Sequence, residues 1–381
     1  MVLAFRDFSI RFLPSQLLPK LINKFDYGFI VHSRDYSDLF RRYPKLKKLP
    51  KFILLFICRF IWPVVVTEIY GPKNQYGEQL KGVIIGVGLT ASQLMHNKKL
   101  AKNKFISAAK LAKKFDVKIL GLGALSASLT RGGLDISEKV KIGITTGHAL
   151  TVDTVVNHLY SISNLLEIDI KKIKVAIVGA AGSIGSNSAK LLAKDNQIRE
   201  ILLVDVPRKR NELDQLRKTL QNINSNLDVF VSDRIEDIKN YDIIITATNL
   251  PDVLIKSEYL KAGAVIIDDA QPTDVSEEVY KLRNDVMVLE GGVVNIKGLN
   301  VNFDFGLKNK GDIFSCLGEV IMLSYVGHGG NYNIGKLDFD KVFEVREIKE
   351  KIGLTLGKPQ NFYKLYNNQD VLKIKNILHK T

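Results

Sequence analysis

Lys174-Val175-Ala176-Ile177-Val178 is a short apolar run that passes directly into Gly179-Ala180-Ala181-Gly182-Ser183-Ile184-Gly185. No other segment constrains the fold as strongly. A strand that turns into a helix through small residues lets the backbone approach a pyrophosphate, and the first amides of the helix meet its charge. The glycine spacing is one residue wider than the commonest fingerprint, with Ala181 where the second glycine would fall, yet every close-approach position is small. The pattern predicts a strand over 174–178, a helix over 186–194, and a dinucleotide held by Gly179, Ala181, Gly182, Ser183, Ile184 and Gly185.

The next strand is predicted over 200–205 and ends on Asp205, 20 residues beyond Gly185. An acid there usually takes the ribose hydroxyls, which favours NADH. Arg208, Lys209 and Arg210 follow at once and suit a 2′-phosphate, which favours NADPH. The cofactor reading is therefore NADPH or NADH. Further apolar strands are predicted over 228–231, 242–246, 264–267 and 286–289. Thr248 and Asn249 stand at the carboxyl end of one of them, where open parallel sheets place a nicotinamide.

Upstream, residues 81–87 and 117–122 read as strands around a basic helix over 99–115, the rhythm of a second α/β unit. Its loop 123–130 is rich in small hydroxyl residues, and Ser126 is the candidate substrate contact there; ordinary turn chemistry is the alternative. His148, leading a helix over 151–166, is either a proton donor or a cap. The fold class is α/β, with a Rossmann-type dinucleotide-binding domain inserted beside a second α/β substrate lobe. The expected divisions are a basic and apolar N-terminal region over 1–66, the first part of the substrate lobe over 67–167, the nucleotide domain over 168–300, and a return to the substrate lobe over 301–381.

In that return lies Cys316, one of two cysteines in 381 residues. Asp312 reads as an N-cap, and Ile313, Leu317, Val320 and Ile321 recur at helical spacing, which puts Cys316 in a first helical turn. A thiol near the positive end of a helix dipole ionises more readily, so Cys316 is the candidate nucleophile; the alternative is a small packed core residue. Cys58 reads as a packed apolar side chain. The six histidines are scattered and no metal site is expected.

Two cysteines build no disulfide framework, and the charged opening of the chain does not suit a signal peptide, so the expected location is cytoplasmic. The net charge is +15, and residues 1–60 carry 12 Lys or Arg against 4 Asp. That end should prefer an acidic neighbour. The apolar run 52–62 is too short to span a bilayer and is stopped by Pro63. Together with the cations before it, it suggests peripheral membrane contact through residues 41–62, with a buried helix as the alternative. Nucleic acid is not expected as a partner.

From about residue 62 to 360, several blocks resemble the long-chain acyl-[acyl-carrier-protein] reductase family, which forms fatty aldehydes from acyl thioesters. They are Thr67-Glu68-Ile69, Leu122-Gly123-Ala124-Leu125-Ser126, Thr145-Thr146-Gly147, Val178 through Gly185, Gly291-Gly292-Val293-Val294 and Phe314-Ser315-Cys316-Leu317-Gly318-Glu319. The resemblance implies that Cys316 accepts the acyl group, that the donor is acyl carrier protein or acyl-CoA, and that the hydride source is NADPH, whereas Asp205 by position favours NADH. Two other readings share the two-lobed order: a dehydrogenase of the shikimate or amino-acid type that does not need Cys316, and a non-enzymatic nucleotide-sensing protein.

Overall fold

A computed structural model describes Ile10, residues 24–250 and residues 253–379. The charged opening of the chain and most of the basic N-terminal region before residue 24 therefore lie outside the described residues. The chain forms two compact units: residues 1–147, 296–304 and 316–354 make unit 1, and residues 148–295, 305–315 and 355–381 make unit 2.

Unit 1 contains β1 (Tyr27–Ser33), β2 (Val64–Lys73), β3 (Gln79–Thr90), β4 (Ile119–Leu122) and β5 (Gly143–Thr145). They order as β2-β3-β1-β4-β5, with the short strand Asn300–Val301 outside β2. β1 runs parallel to both β3 and β4, while β2 is antiparallel to β3. The sequence placed residues 1–66 outside the α/β lobe. The correction is large, because β1 is the central strand of this sheet and Ile30 is fully buried in its core. Its partners lie some fifty to ninety residues away, and such non-local pairing leaves little local signature. Two helices matter below: α1 (Lys51–Phe60) and α2 (Lys98–Lys114). α2 buries Ala101, Phe105, Ala108, Leu111 and Ala112 against the sheet and turns its lysines outward.

Unit 2 is built on β6 (Lys174–Val178), β7 (Glu200–Val204), β8 (Asp228–Ser232), β9 (Ile243–Thr246), β10 (Val265–Asp268) and β11 (Met287–Glu290), ordered β11-β10-β9-β6-β7-β8 and parallel throughout. Ala176, Val178, Ile244, Ile266 and Val288 fill one face of the sheet, and Ile177, Leu203, Ile243, Ile245 and Ile267 are also buried. Strands covered on both faces read as the continuous apolar runs seen in the sequence. This is the Rossmann-type dinucleotide-binding architecture.

α3 (His148–Leu165) belongs to unit 2, although the sequence assigned it to the substrate lobe. It is tied to α4 (Ser183–Asp195), with the Tyr160 hydroxyl donating to Asp195 at 3.0 Å. The tail after residue 355 also joins unit 2, where Lys375 pairs with Glu167 at 2.6 Å. α4 begins at Ser183, three residues before the predicted start, because Gly182 in extended backbone serves as its N-cap.

Candidate active site

In unit 2 the chain leaves β6, builds β7 and β8 to one side, and returns to place β9 on the other side of β6. The carboxyl ends of β6 and β9 therefore bound the crevice where such sheets take ligands. Gly179 turns out of β6 with φ +79, and a Cβ there would lie 2.8 Å from the Ala247 carbonyl oxygen and 3.1 Å from Thr248 Cγ2. A Cβ on Gly182 would sit 3.0 Å from the Gly179 oxygen, and one on Gly185 would collide with that same oxygen. Three glycines thus make one tight cradle in which side chains do not fit, so that a phosphate can approach the start of α4, which is the fit a dinucleotide requires.

Asp205 is drawn to this cradle. One carboxylate oxygen accepts from the Ala181 amide at 2.9 Å and the other from the Val206 amide at 2.8 Å. Ser183, at the start of α4, has its hydroxyl 3.0 Å from Nδ1 of His148. Burial pushes His148 down to about 4, so the imidazole is neutral at pH 7. The proton-donor reading of His148 consequently loses its charged form. Arg208 is exposed in the turn Pro207–Lys209. Its neighbours pair within their own segment, Lys209 with Glu212 at 2.8 Å and Arg210 with Asp214 at 3.3 Å.

Thr248 faces Asp274, donating through Oγ1 at 2.6 Å and through its amide at 3.3 Å, while the Thr246 hydroxyl makes a short hydrogen bond to the same carboxylate. Asn249 is exposed just beyond. Sequence reading missed the acids that gather here. Asp268 is pushed up to about 8 by burial and by the nearby Asp274, and Asp269 is raised well above the carboxylate range by burial and by Asp268. Two adjacent aspartates closing an apolar strand, Val265-Ile266-Ile267-Asp268-Asp269, were the available signal.

Unit 1 holds the thiol. Cys316 is half-buried at the second residue of α5 (Ser315–Tyr325). Asp312 is not the N-cap expected of it: it lies in the strand Asp312–Phe314, and its carboxylate accepts from Asn295 and Asn309 at 2.8 Å and from Gln360 at 2.6 Å. Those amide donors satisfy the carboxylate inside unit 2, which leaves Ser315 to open the helix.

Gly147 (φ +78) presses on Cys316 so closely that a Cβ would collide with the cysteine's Cα and Cβ. Two residues back, the Thr145 hydroxyl makes a short hydrogen bond to Glu319, a fully buried carboxyl one helical turn beyond Cys316. The Thr145-Thr146-Gly147 block and the Cys316 block are thereby brought together by contact. Ser126 behaves differently. It is fully buried, and its hydroxyl donates to the Gly123 carbonyl at 2.7 Å within its own helical turn, Leu125–Ser128. That geometry is loop chemistry, with no hydroxyl turned to a substrate.

Among the described residues no three His, Cys, Asp or Glu side chains gather to hold a metal ion, and no helix is long and apolar enough to cross a membrane.

Fold, switch point and glycine cradle together define a Rossmann-type dinucleotide-binding domain, with NAD(P)H as its cofactor class. A sequence model of the Shikimate / quinate 5-dehydrogenase family matches residues 162–289, the heart of unit 2. The chain is 26% identical over 310 residues to the aminotransferase PigE of Serratia sp., covering 80% of this chain but only 35% of that protein. It is 25% identical over 305 residues to a long-chain acyl-[acyl-carrier-protein] reductase of Synechococcus elongatus, covering 76% of this chain and 85% of that one. Among solved structures, CmnK aligns over 57% of this chain and 66% of its own, at 15% identity and a TM-score of 0.32.

Proposed function

We propose that this protein reduces a long-chain fatty acyl thioester to a fatty aldehyde at the expense of NAD(P)H, through an acyl group carried on Cys316. The observation that carries this reading is the placement of Cys316: half-exposed in the first turn of α5, with Gly147 removing every side-chain atom from the neighbouring backbone. The likeness to the Synechococcus reductase over most of both chains supports it.

A free carboxylate resists hydride because its charge shields the carbonyl carbon, whereas a thioester carbonyl is electrophilic. The substrate is accordingly an acyl group already activated on acyl carrier protein or coenzyme A. Sγ of Cys316, as thiolate, bonds to the acyl carbon; the bond to the carrier sulfur breaks, and the carrier leaves as a thiolate that takes up a proton. When bound, NAD(P)H supplies the hydride that brings this carbon to the aldehyde level. Gly179, Gly182 and Gly185 would admit its pyrophosphate to the start of α4, Asp205 and Arg208 would take its adenosine ribose, and Thr248 and Asn249 would lie on its nicotinamide side. Release of the aldehyde restores the Cys316 thiolate. Residues 41–62 form the second partner face in this reading, a peripheral contact with a membrane surface.

The test is intact mass spectrometry of the protein incubated with a long-chain acyl thioester, without and then with NADPH or NADH. An acyl adduct on Cys316 that disappears as aldehyde forms is expected. Cys316→Ser should lose both while still binding the nucleotide. Aldehyde formation by Cys316→Ser at the normal rate would overturn the reading. A second reading, direct ketone reduction of the shikimate dehydrogenase type, is favoured by the family match over residues 162–289 and predicts an enzyme indifferent to thiol alkylation.

A further inference from the structure

Helix α1 is apolar on both sides. Leu54 and Cys58 are buried against unit 1, yet Phe52, Phe56 and Phe60 are 71%, 63% and 61% exposed. Spaced four residues apart, the three rings form one ridge, and those of Phe56 and Phe60 lie 4.6 Å apart. A helix with apolar residues on its outer face needs a partner there.

Charge narrows what that partner is. From Leu39 to Thr67 the sequence contains no acid and seven Lys or Arg. Lys45, Lys47 and Lys48 end the turn Pro44–Lys48, which has no buried residue and stands immediately before the ridge. A cavity of about 650 Å³ opens between the end of α1 and α2. Phe60, Trp62 and Leu111 give it an apolar side, Lys104, Lys110 and Lys114 a cationic side, and among the described residues no acid lines it. Lys114 donates to the Ile10 carbonyl at 2.8 Å and Lys104 makes a short hydrogen bond to the Ile61 carbonyl, which fixes both stems along the wall. Lys110 is exposed at the rim.

We propose that unit 1 docks on an anionic bilayer by laying Phe52, Phe56 and Phe60 into the interface, and that the cavity beside them takes one anionic phospholipid. The lipid's phosphate meets the three lysines, and a hydrocarbon chain lies on Phe60, Trp62 and Leu111. The volume falls within the roughly 300–1,000 Å³ typical of small-molecule sites. An aromatic ridge flanked by cations is the signature of a helix that lies in the headgroup plane without crossing it, and Arg59 on the same outer face can reach headgroups from its aliphatic stem. An acidic protein would satisfy the charge, but a row of three bare phenylalanines beside a cavity that is apolar on one wall and cationic on the other matches a lipid on both counts. The inference extends the peripheral contact described above and does not depend on the chemistry at Cys316.

The test is co-sedimentation of the full chain with vesicles of phosphatidylcholine alone and of phosphatidylcholine mixed with phosphatidylglycerol. Binding to the mixed vesicles should exceed binding to neutral ones by about tenfold or more and weaken with salt. The exposed double change Phe52→Ser and Phe56→Ser should lower it by more than about tenfold. Asn103→Trp, which enters the cavity from the solvent side of α2, should abolish crosslinking of a photoactivatable phosphatidylglycerol to α2 while vesicle binding persists. NAD(P)H binding reports that the variants remain folded, and Cys316→Ser should bind vesicles normally even if the reductase reading fails. Equal binding to neutral vesicles, indifference to loss of the phenylalanines, or binding to acyl carrier protein without binding to vesicles would each overturn the proposal.

Discussion

Gly147 offers the sharpest test of how the thiol is positioned. Its φ of +78 lies in the left-handed region, which costs an alanine about 1 kcal/mol. Its missing Cβ also coincides with space held by Cα and Cβ of Cys316, with the Cys316 carbonyl carbon only 3.3 Å away. Those are backbone-anchored atoms of a helix start and do not rotate aside, so overpacking adds roughly 1–3 kcal/mol. Gly147→Ala should therefore destabilise unit 1 by about 2–4 kcal/mol, a shift of roughly 5–15 °C in its thermal transition. Gly327 provides the internal control. It too has positive φ (+69), but nothing lies within 4 Å of its Cβ position, so Gly327→Ala should cost only about 1 kcal/mol. The difference between the two variants isolates the contact with Cys316. Iodoacetamide labelling followed by mass spectrometry should also show slower alkylation of Cys316 in Gly147→Ala, with the buried Cys58 unlabelled in both. Equal melting temperatures for the two variants, together with an unchanged labelling rate, would refute the packing argument.

Arg208→Ala should weaken NADPH binding by about tenfold and leave NADH binding intact, read by nucleotide fluorescence titration, because the proposed contact of Arg208 is with the 2′-phosphate that only NADPH carries. Unchanged NADPH affinity would remove Arg208 from the site. Asp268, held up to about 8 when folded, binds a proton that the unfolded chain releases near pH 4, so its stability contribution is full below about pH 4 and is lost as pH rises toward 8. Asp268→Asn should flatten that fall in urea-denaturation midpoints between pH 4 and 8. Ser126→Ala should cost about 1 kcal/mol through the lost bond to Gly123 while leaving KM unchanged; a raised KM would restore its reading as a substrate contact.

The strand, glycine loop and helix at Lys174–Asp195 were legible in the sequence because their physics is local: a buried parallel strand is continuously apolar, and a phosphate loop tolerates only small residues. The same locality placed Cys316 in a first helical turn, although by the wrong cap. Asp312 looked like a cap by spacing, and only the amides of Asn295 and Gln360, brought from 17 and 48 residues away, show why it serves a strand instead. The central strand β1 was missed because a strand's place in a parallel sheet is set by partners far along the chain. Thr145-Thr146-Gly147 and Cys316 are about 170 residues apart, and no periodicity joins them; their contact exists only in the folded chain. Ser126 shows the opposite case, a hydroxyl rich in promise by composition whose burial gives it a structural bond. Composition and spacing thus determined which chemistries the chain can hold, a dinucleotide loop and one thiol in a helix start. Tertiary structure decided which side chains remain open to use them, because burial and hydrogen-bond commitment depend on what long-range packing places beside each group.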